Sequence, residues 1–160
     1  MTIRSGLGID THQFAAGRPL ILGGIDIPHE EGLAGHSDAD VLTHAVIDAL
    51  LGAAGLGDIG QHFPDTDPRF KDADSIHLLR TVVTYLGERG YAIVNVDATV
   101  VLERPKLAPF RDRIRATLAA ALALPDDAVN VKATTGEKMG FVGRGEGAAA
   151  MAIATLERRG

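Results

Sequence analysis

The sequence predicts an α+β domain in which helices pack on one face of a mixed β-sheet. Two observations support this fold class: apolar residues recur at helical spacing in three segments, and they alternate with polar residues in several others. The elements follow roughly in the order β, β, α, α, β, α, β, β, which suits a sheet covered by a layer of helices. With 160 residues and no internal repeat or low-complexity linker, the chain is expected to form a single domain over residues 1–160.

The N-terminal part is predicted to contain a strand, a hairpin and a helix. The strand runs through "IRSGLGIDTH" at residues 3–12, and "LILGGIDI" at residues 20–27 suggests a short hairpin arm. The first helix is expected from about Asp38 to Ala54, where apolar residues repeat every three or four positions. Ser37 is expected to cap this helix, with Asp40 as a shortened capping-box partner.

The middle of the chain is predicted to contain a second helix and a long strand. The helix runs from about Ser75 to Arg89, and Gly90 is a natural residue to end it. The stretch "YAIVNVDATVVLE" alternates in the manner of a half-buried strand. Its apolar face is predicted to consist of Val94, Val96, Ala98, Val100 and Leu102.

The C-terminal part is predicted to contain a third helix and two strands. The helix runs from about Phe110 to Leu124, with Pro109 at its start. The stretch "AVNVKATT" alternates between apolar and polar residues, which predicts a strand. "AAAMAIATLE" is expected to be the last strand, although its alanines would also suit a helix.

The composition excludes several classes of function. A net charge of −5, 4% aromatic residues and no tryptophan disfavour binding to nucleic acid. Because the chain has no cysteine, any transition metal must be held by His, Asp or Glu. No signal peptide and no run of about 18 apolar residues is apparent, so no membrane association is expected. The expected location is the cytoplasm, or the plastid stroma if the source carries plastids and a transit peptide has been removed.

Three side chains are candidate metal ligands. Asp10 and His12, in "GIDTHQF", are two residues apart on the first strand, so they project from the same face. His44 lies on the first helix, at the border of its apolar face. If this helix packs beside the strand, the three side chains converge as a set that suits Zn²⁺ and leaves a fourth position open. Each residue alone is more often structural, so the hypothesis depends on their convergence.

Two loops are candidate binding segments. "GLGDIGQHFPDTDP" is a long irregular stretch whose acidic residues either bind the hydroxyls of a polyol or form a solvated loop. Those acidic residues are Asp58, Asp65 and Asp67. "ERPKLAP" holds Lys106 between two prolines, and such a stiff loop can present backbone groups to a nucleobase at low entropic cost.

A glycine-rich turn near the C-terminus is a candidate phosphate site. In "VKATTGEKMGFVGRGEG" a strand ends at Thr134 and Thr135, where hydroxyls and backbone N–H groups can bind phosphate. Glu137 could hold a hard cation such as Mg²⁺. Local positive charge comes from Lys132, Lys138 and Arg144. The alternative is a strand-connecting hairpin with charged ends.

Together, these motifs resemble the 2-C-methyl-D-erythritol 2,4-cyclodiphosphate synthases of the non-mevalonate isoprenoid pathway. The resemblance covers nearly the whole chain and rests on "GIDTHQF", "GHSDADVLTHAVIDALLGAAGLGDIGQHFPDTDP", "ERPKLAP" and "VKATTGEKMGFVGRGEG". It implies a phosphorus–oxygen lyase: the 2-phosphate of 4-diphosphocytidyl-2-C-methyl-D-erythritol 2-phosphate attacks the β-phosphate, CMP leaves, and a cyclic diphosphate forms. It also implies a homotrimer with sites between subunits and a central cavity that could take an isoprenoid diphosphate.

The resemblance further implies roles for individual residues. Asp10, His12 and His44 match the ligands of one Zn²⁺ per subunit. Glu137 matches the residue near a second cation, Mg²⁺ or Mn²⁺, bound with the substrate diphosphate. His36 and Thr135 match catalytic positions that stabilise the transition state. The implied substrate-binding residues are Asp10, His12, His36, Ser37, Asp58, Ile59, Gly60, Phe63, Pro64, Asp65, Thr66, Asp67, Lys106, Leu107, Ala108, Ala133, Thr134, Thr135, Gly136, Glu137, Phe141 and Arg144.

The chain departs from the family pattern in two places. Gly136 stands where a threonine or another side chain is common, and Ala148 and Met151 stand near the implied trimer axis, where other residues often occur. The residues alone leave two further classes open. One is a metal-dependent hydrolase in which Asp48 or His36 serves as base, and the other is a non-catalytic ligand-binding module.

Overall fold

Seven strands and five helices form the computed structural model, which describes residues 1–160. The strands are β1 (Thr2–Ala16), β2 (Leu20–Leu22), β3 (Ile25–Ile27), β4 (Glu31–Leu33), β5 (Tyr91–Val101), β6 (Val129–Thr134) and β7 (Gly147–Arg158). The helices are α1 (Val41–Ala54), α2 (Ile59–His62), α3 (Ser75–Glu88), α4 (Arg111–Leu122) and α5 (Gly140–Gly143). None of these helices has the length and apolar character needed to cross a membrane.

The architecture is one mixed sheet covered by helices on one side. Five strands follow the order β4-β1-β7-β5-β6, and β2 and β3 form a separate hairpin. Neighbouring strands are antiparallel except for β5 and β6, which are parallel. Helices α1, α3 and α4 share one continuous hydrophobic core with the sheet. The predicted α+β class and single domain are therefore confirmed.

Helix α1 lies directly on β1 because β1 carries glycine at the two points of closest approach. A Cβ atom built on Gly6 would overlap the carbonyl oxygen of Ala49. A Cβ atom on Gly8 would overlap the carbonyl oxygen of Ala45. These glycines let the helix backbone come closer to the strand than any side chain would permit. The short separation fixes the distance between the side chains that follow along β1 and those on α1.

The predicted cap of the first helix is wrong. The helix begins at Val41, and its N-cap is Asp40, whose carboxylate accepts a hydrogen bond from Thr43 N at 3.0 Å. Ser37 lies further upstream, and its hydroxyl group contacts the side chain of His44 instead. Asp40 is fully buried and also accepts from the backbone N–H groups of the β2–β3 hairpin, at 2.9 and 2.8 Å. It is thus a structural residue that holds the hairpin against the start of α1.

The strand and helix boundaries differ from the predictions in a few other places. Val94 is 43% exposed because the pairing of β5 with β7 shifts register between Ile93 and Asn95, which turns Val94 off the apolar face. Helix α4 begins at Arg111, after a 3-10 turn, and ends at Leu122, within the predicted range. The short elements β4, α2 and α5 were not predicted.

The face of the sheet opposite the helices carries exposed apolar side chains. These side chains alternate with helix-facing ones along β1 and β7, and they are Ile3, Leu7, Ile9, Met151 and Ile153. Ala148 has the opposite orientation and is completely buried on the helix side. Met151, in contrast, lies on the open face. The expectation that Ala148 and Met151 lie near a trimer axis stays a prediction. Contiguous apolar surface of this kind is typical of a protein–protein interface.

Candidate metal centre and adjoining pockets

Asp10, His12 and His44 meet at the junction of β1 and α1. Asp10 and His12 share the helix-facing side of the strand, and His44 reaches them from the first turn of the helix. Asp10 Oδ2 lies 2.9 Å from His12 Nε2 and 3.0 Å from His44 Nδ1, and the two nitrogens are 3.3 Å apart. The predicted convergence of these three side chains is confirmed, and their ligand atoms all lie within 4.8 Å of one another.

The three atoms have the spacing and the free lone pairs that a tetrahedral metal needs. Two ligand atoms of tetrahedral zinc, with bonds near 2.0–2.1 Å, lie roughly 3.3–3.4 Å apart. The observed triangle is close to one face of such a tetrahedron. The outer nitrogen of each histidine is already hydrogen-bonded: His12 Nδ1 to the carbonyl of Ala34 at 2.8 Å, and His44 Nε2 to Ser75 Oγ at 2.8 Å. The inner nitrogens are therefore available to a metal.

The electrostatics of this cluster favour a charged carboxylate beside protonatable imidazoles. Burial raises the pKa of Asp10, but the hydrogen bonds and charges of His12 and His44 outweigh it and bring the pKa to about 2. Burial acts to lower the pKa of His12, yet the hydrogen bond and the charge of Asp10 leave that pKa above its ordinary value of 6.5. Asp10 is therefore ionised at neutral pH, and in the absence of a metal its charge favours the protonated form of His12.

A pocket of about 390 Å³ opens directly over the three ligands. It contains many of the predicted substrate-binding residues, namely Asp10, His12, His36, Ser37, Ile59, Gly60, Phe63, Pro64 and Asp65. It is also lined by three residues that were not predicted, which are Gly35, Phe70 and Leu78. Phe70 could have been suspected from its position just after the acidic loop, whereas Leu78 was predicted only as part of a helix.

Some residues predicted for this pocket stand outside its lining. Asp58 caps α2 by accepting from Gln61 N at 3.0 Å, and Asp67 pairs with Arg69 at 2.6 Å. Thr66 is exposed and does not line the pocket. Asp67 still contributes indirectly, because its carbonyl oxygen accepts from His36 Nε2 at 3.0 Å. This hydrogen bond ties His36 to the loop that forms the opposite wall.

Asp48 supports the pocket wall but does not itself line the pocket. Its carboxylate accepts a hydrogen bond from the backbone N–H of Ile59 at 2.9 Å, at the start of α2. On the same wall Phe63 and Phe70 meet edge to face, with ring centroids 5.3 Å apart. The long irregular segment is therefore held by specific contacts and forms one side of a cleft above the metal centre.

A second pocket, of about 180 Å³, lies elsewhere on the same chain. It gathers another group of predicted residues, which are Lys106, Leu107, Ala108, Ala133, Thr134 and Thr135. Its lining also includes Leu102, Glu103, Pro105 and Arg111, which were not predicted as site residues. Arg111 brings a second cation to this pocket beside Lys106. No residue lines both this pocket and the one above the metal centre.

Glu103 holds the turn that closes the second pocket. Its carboxylate accepts hydrogen bonds from the backbone N–H groups of Gly136 at 2.9 Å and Lys138 at 3.2 Å. Two of the backbone N–H groups that were expected to bind phosphate therefore already donate to the Glu103 carboxylate. Gly136 also has no room for a larger residue, because a Cβ atom there would lie 2.9 Å from Gly143 N. This close packing explains why the turn carries glycine at that position in this chain.

The remaining residues of the turn are exposed. Glu137 adopts a left-handed conformation, with φ of 53°, and its carboxylate has no hydrogen-bond partner in the protein. Arg144 pairs with Glu146 at 2.8 Å, and both side chains are more than half exposed. Lys132 pairs with Asp97 on the open face of the sheet and does not line the second pocket, so its contribution to a phosphate site stays a prediction. Phe141 lines a separate open depression that also includes His12.

Comparison with known proteins relates the whole chain to one group of enzymes. Residues 3–157 match the model of the YgbB family. The 2-C-methyl-D-erythritol 2,4-cyclodiphosphate synthase of Salinibacter ruber is 63% identical over 155 residues, which are 97% of this chain and 99% of that protein.

Among solved structures, the bifunctional IspDF from Campylobacter jejuni matches 99% of this chain with a TM-score of 0.95 at 45% identity. This chain covers 43% of that longer protein. A 2C-methyl-D-erythritol-2,4-cyclodiphosphate synthase in its CDP-bound form matches 96% of this chain and 100% of its own, with a TM-score of 0.89 at 38% identity.

Proposed function

The chain belongs to the YgbB family, together with the 2-C-methyl-D-erythritol 2,4-cyclodiphosphate synthases, and we propose that it catalyses the same cyclisation. The substrate is 4-diphosphocytidyl-2-C-methyl-D-erythritol 2-phosphate, and the products are the 2,4-cyclodiphosphate and CMP. The observation that carries the proposal is the Asp10–His12–His44 triad at the base of a cleft. This assignment makes the protein a phosphorus–oxygen lyase of isoprenoid precursor biosynthesis, acting in the cytoplasm.

The reaction needs charge neutralisation and orientation more than it needs a strong base. The attacking group is a phosphate oxygen that is already ionised, so the main obstacles are repulsion between anions and the freedom of a flexible substrate. A divalent cation held by Asp10, His12 and His44 would supply positive charge beside the reacting phosphates. The donor set of two imidazoles and one carboxylate, without thiolates, is well suited to Zn²⁺.

The residues of the chain would fix the two ends of the substrate. The cleft over the triad would bind the methylerythritol phosphate part, with Ser37, Ile59 and Asp65 among its walls. His36, oriented by the Asp67 carbonyl, would lie beside the reacting phosphates and help to stabilise the transition state. Pinning a substrate in a reactive geometry can lower a barrier by roughly 7–11 kcal/mol.

The second pocket would bind the nucleotide end. Lys106 and Arg111 would supply positive charge there, and the backbone of the 106–108 loop would face the cytosine base. Thr134 and Thr135 would offer hydroxyl groups to the phosphates, and Thr135 would help to stabilise the transition state. The free carboxylate of Glu137 would hold the second cation, Mg²⁺ or Mn²⁺. The exposed Arg144 would exchange Glu146 for phosphate at little cost, because water and salt screen an exposed ion pair.

A homotrimer would unite the two pockets, which do not meet within one chain. Two observations support this assembly: the separation of the pockets, and the apolar side chains exposed on the open face of the sheet. A cyclic trimer joins unlike surfaces head to tail, so each site could combine the metal pocket of one subunit with the nucleotide pocket of its neighbour. Met151 on the open face would then line a central cavity that could accept an isoprenoid diphosphate.

A metal-dependent hydrolase is the main alternative activity. It would require a base beside the metal: Asp48 does not line the metal pocket, whereas His36 does, so the reaction products decide between the two activities. Product analysis by mass spectrometry tests the proposal. A synthase releases CMP and a cyclic diphosphate, whereas a hydrolase gives products heavier by one water molecule in total, and a binding module leaves the substrate unchanged.

A further inference from the structure

The outer nitrogen of His44 ends a chain of buried and half-buried polar groups that the proposed cyclisation does not itself use. His44 Nε2 lies 2.8 Å from Ser75 Oγ, and Ser75 is completely buried at the start of α3. The Ser75 hydroxyl donates a short hydrogen bond to Asp38 Oδ1, and Ser75 N donates to Asp38 Oδ2 at 2.9 Å. Asp38 also accepts from Asp40 N at 3.1 Å, so its carboxylate is fixed from three directions.

The direction of these hydrogen bonds fixes which nitrogen of His44 carries a proton. A hydroxyl group has one hydrogen, and the Ser75 hydrogen points to a carboxylate that cannot donate when it is ionised. Toward His44, the Ser75 oxygen can therefore only accept. His44 Nε2 must be the protonated nitrogen, which leaves the lone pair of Nδ1 directed at Asp10 and His12.

The two histidines of the triad are oriented by different kinds of hydrogen bond, one to the backbone and one to a side chain. His12 donates from Nδ1 to the backbone carbonyl of Ala34, which no side-chain substitution removes. His44 depends instead on the Ser75 side chain, with Ser37 Oγ as a more distant neighbour at 3.2 Å. Substitution can therefore disturb the orientation of His44 alone, without touching a metal ligand.

We infer that Ser75 and Asp38 are positioning residues for the metal centre: they hold His44 in the tautomer and ring orientation that bind the metal. This inference rests on the proposed function for the presence of the metal. Partners of this kind typically change metal affinity by about 10–100-fold when they are removed. Since Ser75 belongs to α3 and Asp38 to the segment before α1, the same contacts also join these two elements at the metal centre.

The test is the affinity of purified, metal-free protein for Zn²⁺, measured by competition with a chromogenic chelator at fixed pH. Ser75→Ala removes the acceptor for His44, and Asp38→Asn removes the charge that orients the Ser75 hydroxyl. Both are expected to weaken Zn²⁺ binding, Ser75→Ala by about 10–100-fold and Asp38→Asn by a smaller factor. The visible spectrum of the Co²⁺-loaded variants should also lose intensity or shift, because the ligand geometry changes.

Asp74→Ala is the matched control. Asp74 is the N-cap of α3 and accepts from Ile76 N at 2.9 Å, next to Ser75 but without contact to His44. This variant should lower the melting temperature of the apo protein through loss of the cap, while its Zn²⁺ affinity stays within about twofold of the wild-type value. If Ser75→Ala fails to fold, the comparison between Asp38→Asn and Asp74→Ala carries the test.

Two results would overturn the inference while leaving the proposed metal site standing. One is wild-type Zn²⁺ affinity in both Ser75→Ala and Asp38→Asn. The other is an equal loss of affinity in Asp74→Ala, which would mean that only the stability of the α3 terminus matters. If the wild-type protein itself bound no Zn²⁺, the inference and the metal-dependent part of the proposed function would both be rejected.

Discussion

His44 determines whether the metal centre is complete, because it is the one ligand that comes from a helix. Asp10 and His12 are placed side by side by the alternation of β1, and the approach of α1 adds the third donor. The pattern of residues two apart on a strand was readable in the sequence. The hydrogen-bond partners of the outer histidine nitrogens, Ala34 and Ser75, could not be predicted from the sequence. These contacts join residues that are 22 and 31 positions apart.

Replacing His44 with alanine is expected to abolish stoichiometric Zn²⁺ binding and nearly all cyclase activity. The fold should persist, because the core packing of α1 rests on its apolar residues. Metal analysis of the purified variant, with circular dichroism as a check of folding, measures the effect. His77→Ala, at an exposed position of α3, is the control and should retain both metal and activity. Normal Zn²⁺ content in His44→Ala would remove this residue from the site.

Stability and Zn²⁺ affinity are expected to depend on pH in opposite directions. The pKa of His12 is raised above 6.5 in the folded protein, so its contribution to apo stability is complete below pH 6.5 and is lost as pH rises through the folded pKa. Zn²⁺ requires neutral His12, so affinity rises over the same interval. Asp10, with a pKa of about 2, stays ionised throughout and adds no slope there. Thermal unfolding across the neutral pH range measures the stability of the apo protein in chelator and the added stability in Zn²⁺. If the two quantities changed with pH in the same direction, this account would be contradicted.

The secondary-structure elements fall into two groups: those long enough to show a periodic pattern of apolar residues, and those too short to show one. The periodic pattern was sufficient to predict α1, α3, α4 and the long strands, because their apolar residues extend over several repeats. One-turn helices such as α2 and α5, and the three-residue β4, are set by tertiary contacts and have no repeat to read. The bulge at Val94 could not be predicted either, because it depends on the register of β7. The same limit applies to Glu103, which binds a turn 33 positions away.

The close packing of α1 on β1 makes a prediction about both stability and metal binding. Gly8→Ala would push its methyl group into the Ala45 carbonyl and move the helix away from the strand. The expected cost is about 1–3 kcal/mol of unfolding free energy. Because His44 moves with the helix, Zn²⁺ affinity should fall as well. Chemical denaturation and metal titration of the variant measure the two effects.

Gly52→Ala provides the control on the same helix. Gly52 is exposed, and a Cβ atom there would have no neighbour within 4 Å. The substitution should stabilise the protein by roughly 0.5–1 kcal/mol through helix propensity and leave Zn²⁺ affinity unchanged. If Gly8→Ala behaved like Gly52→Ala, the separation of α1 and β1 would not control the geometry of the metal centre.

The whole molecule carries two separate pockets and an exposed apolar face, which support the proposed trimer with shared sites. Complementation between two inactive variants tests this arrangement. His44→Ala lacks the metal half, and Lys106→Glu repels phosphate in the nucleotide half. After co-refolding in equal amounts, each half of a site is intact half the time, so about one quarter of the sites should be active if the interface is heterologous. Activity that stays at the level of the separate variants, with mixed trimers verified by native mass spectrometry, would exclude shared sites.

The most direct test of the proposed cyclisation is the reaction of Zn²⁺-loaded protein in water enriched in oxygen-18. Cyclisation joins two groups that the substrate already carries, so no solvent oxygen enters either product. We therefore expect unlabelled CMP and unlabelled cyclic diphosphate from the wild-type protein, and neither product from His44→Ala. An oxygen-18 atom in CMP or in a linear methylerythritol bisphosphate, with no cyclic diphosphate formed, would show that water is the nucleophile and would contradict the proposed synthase activity.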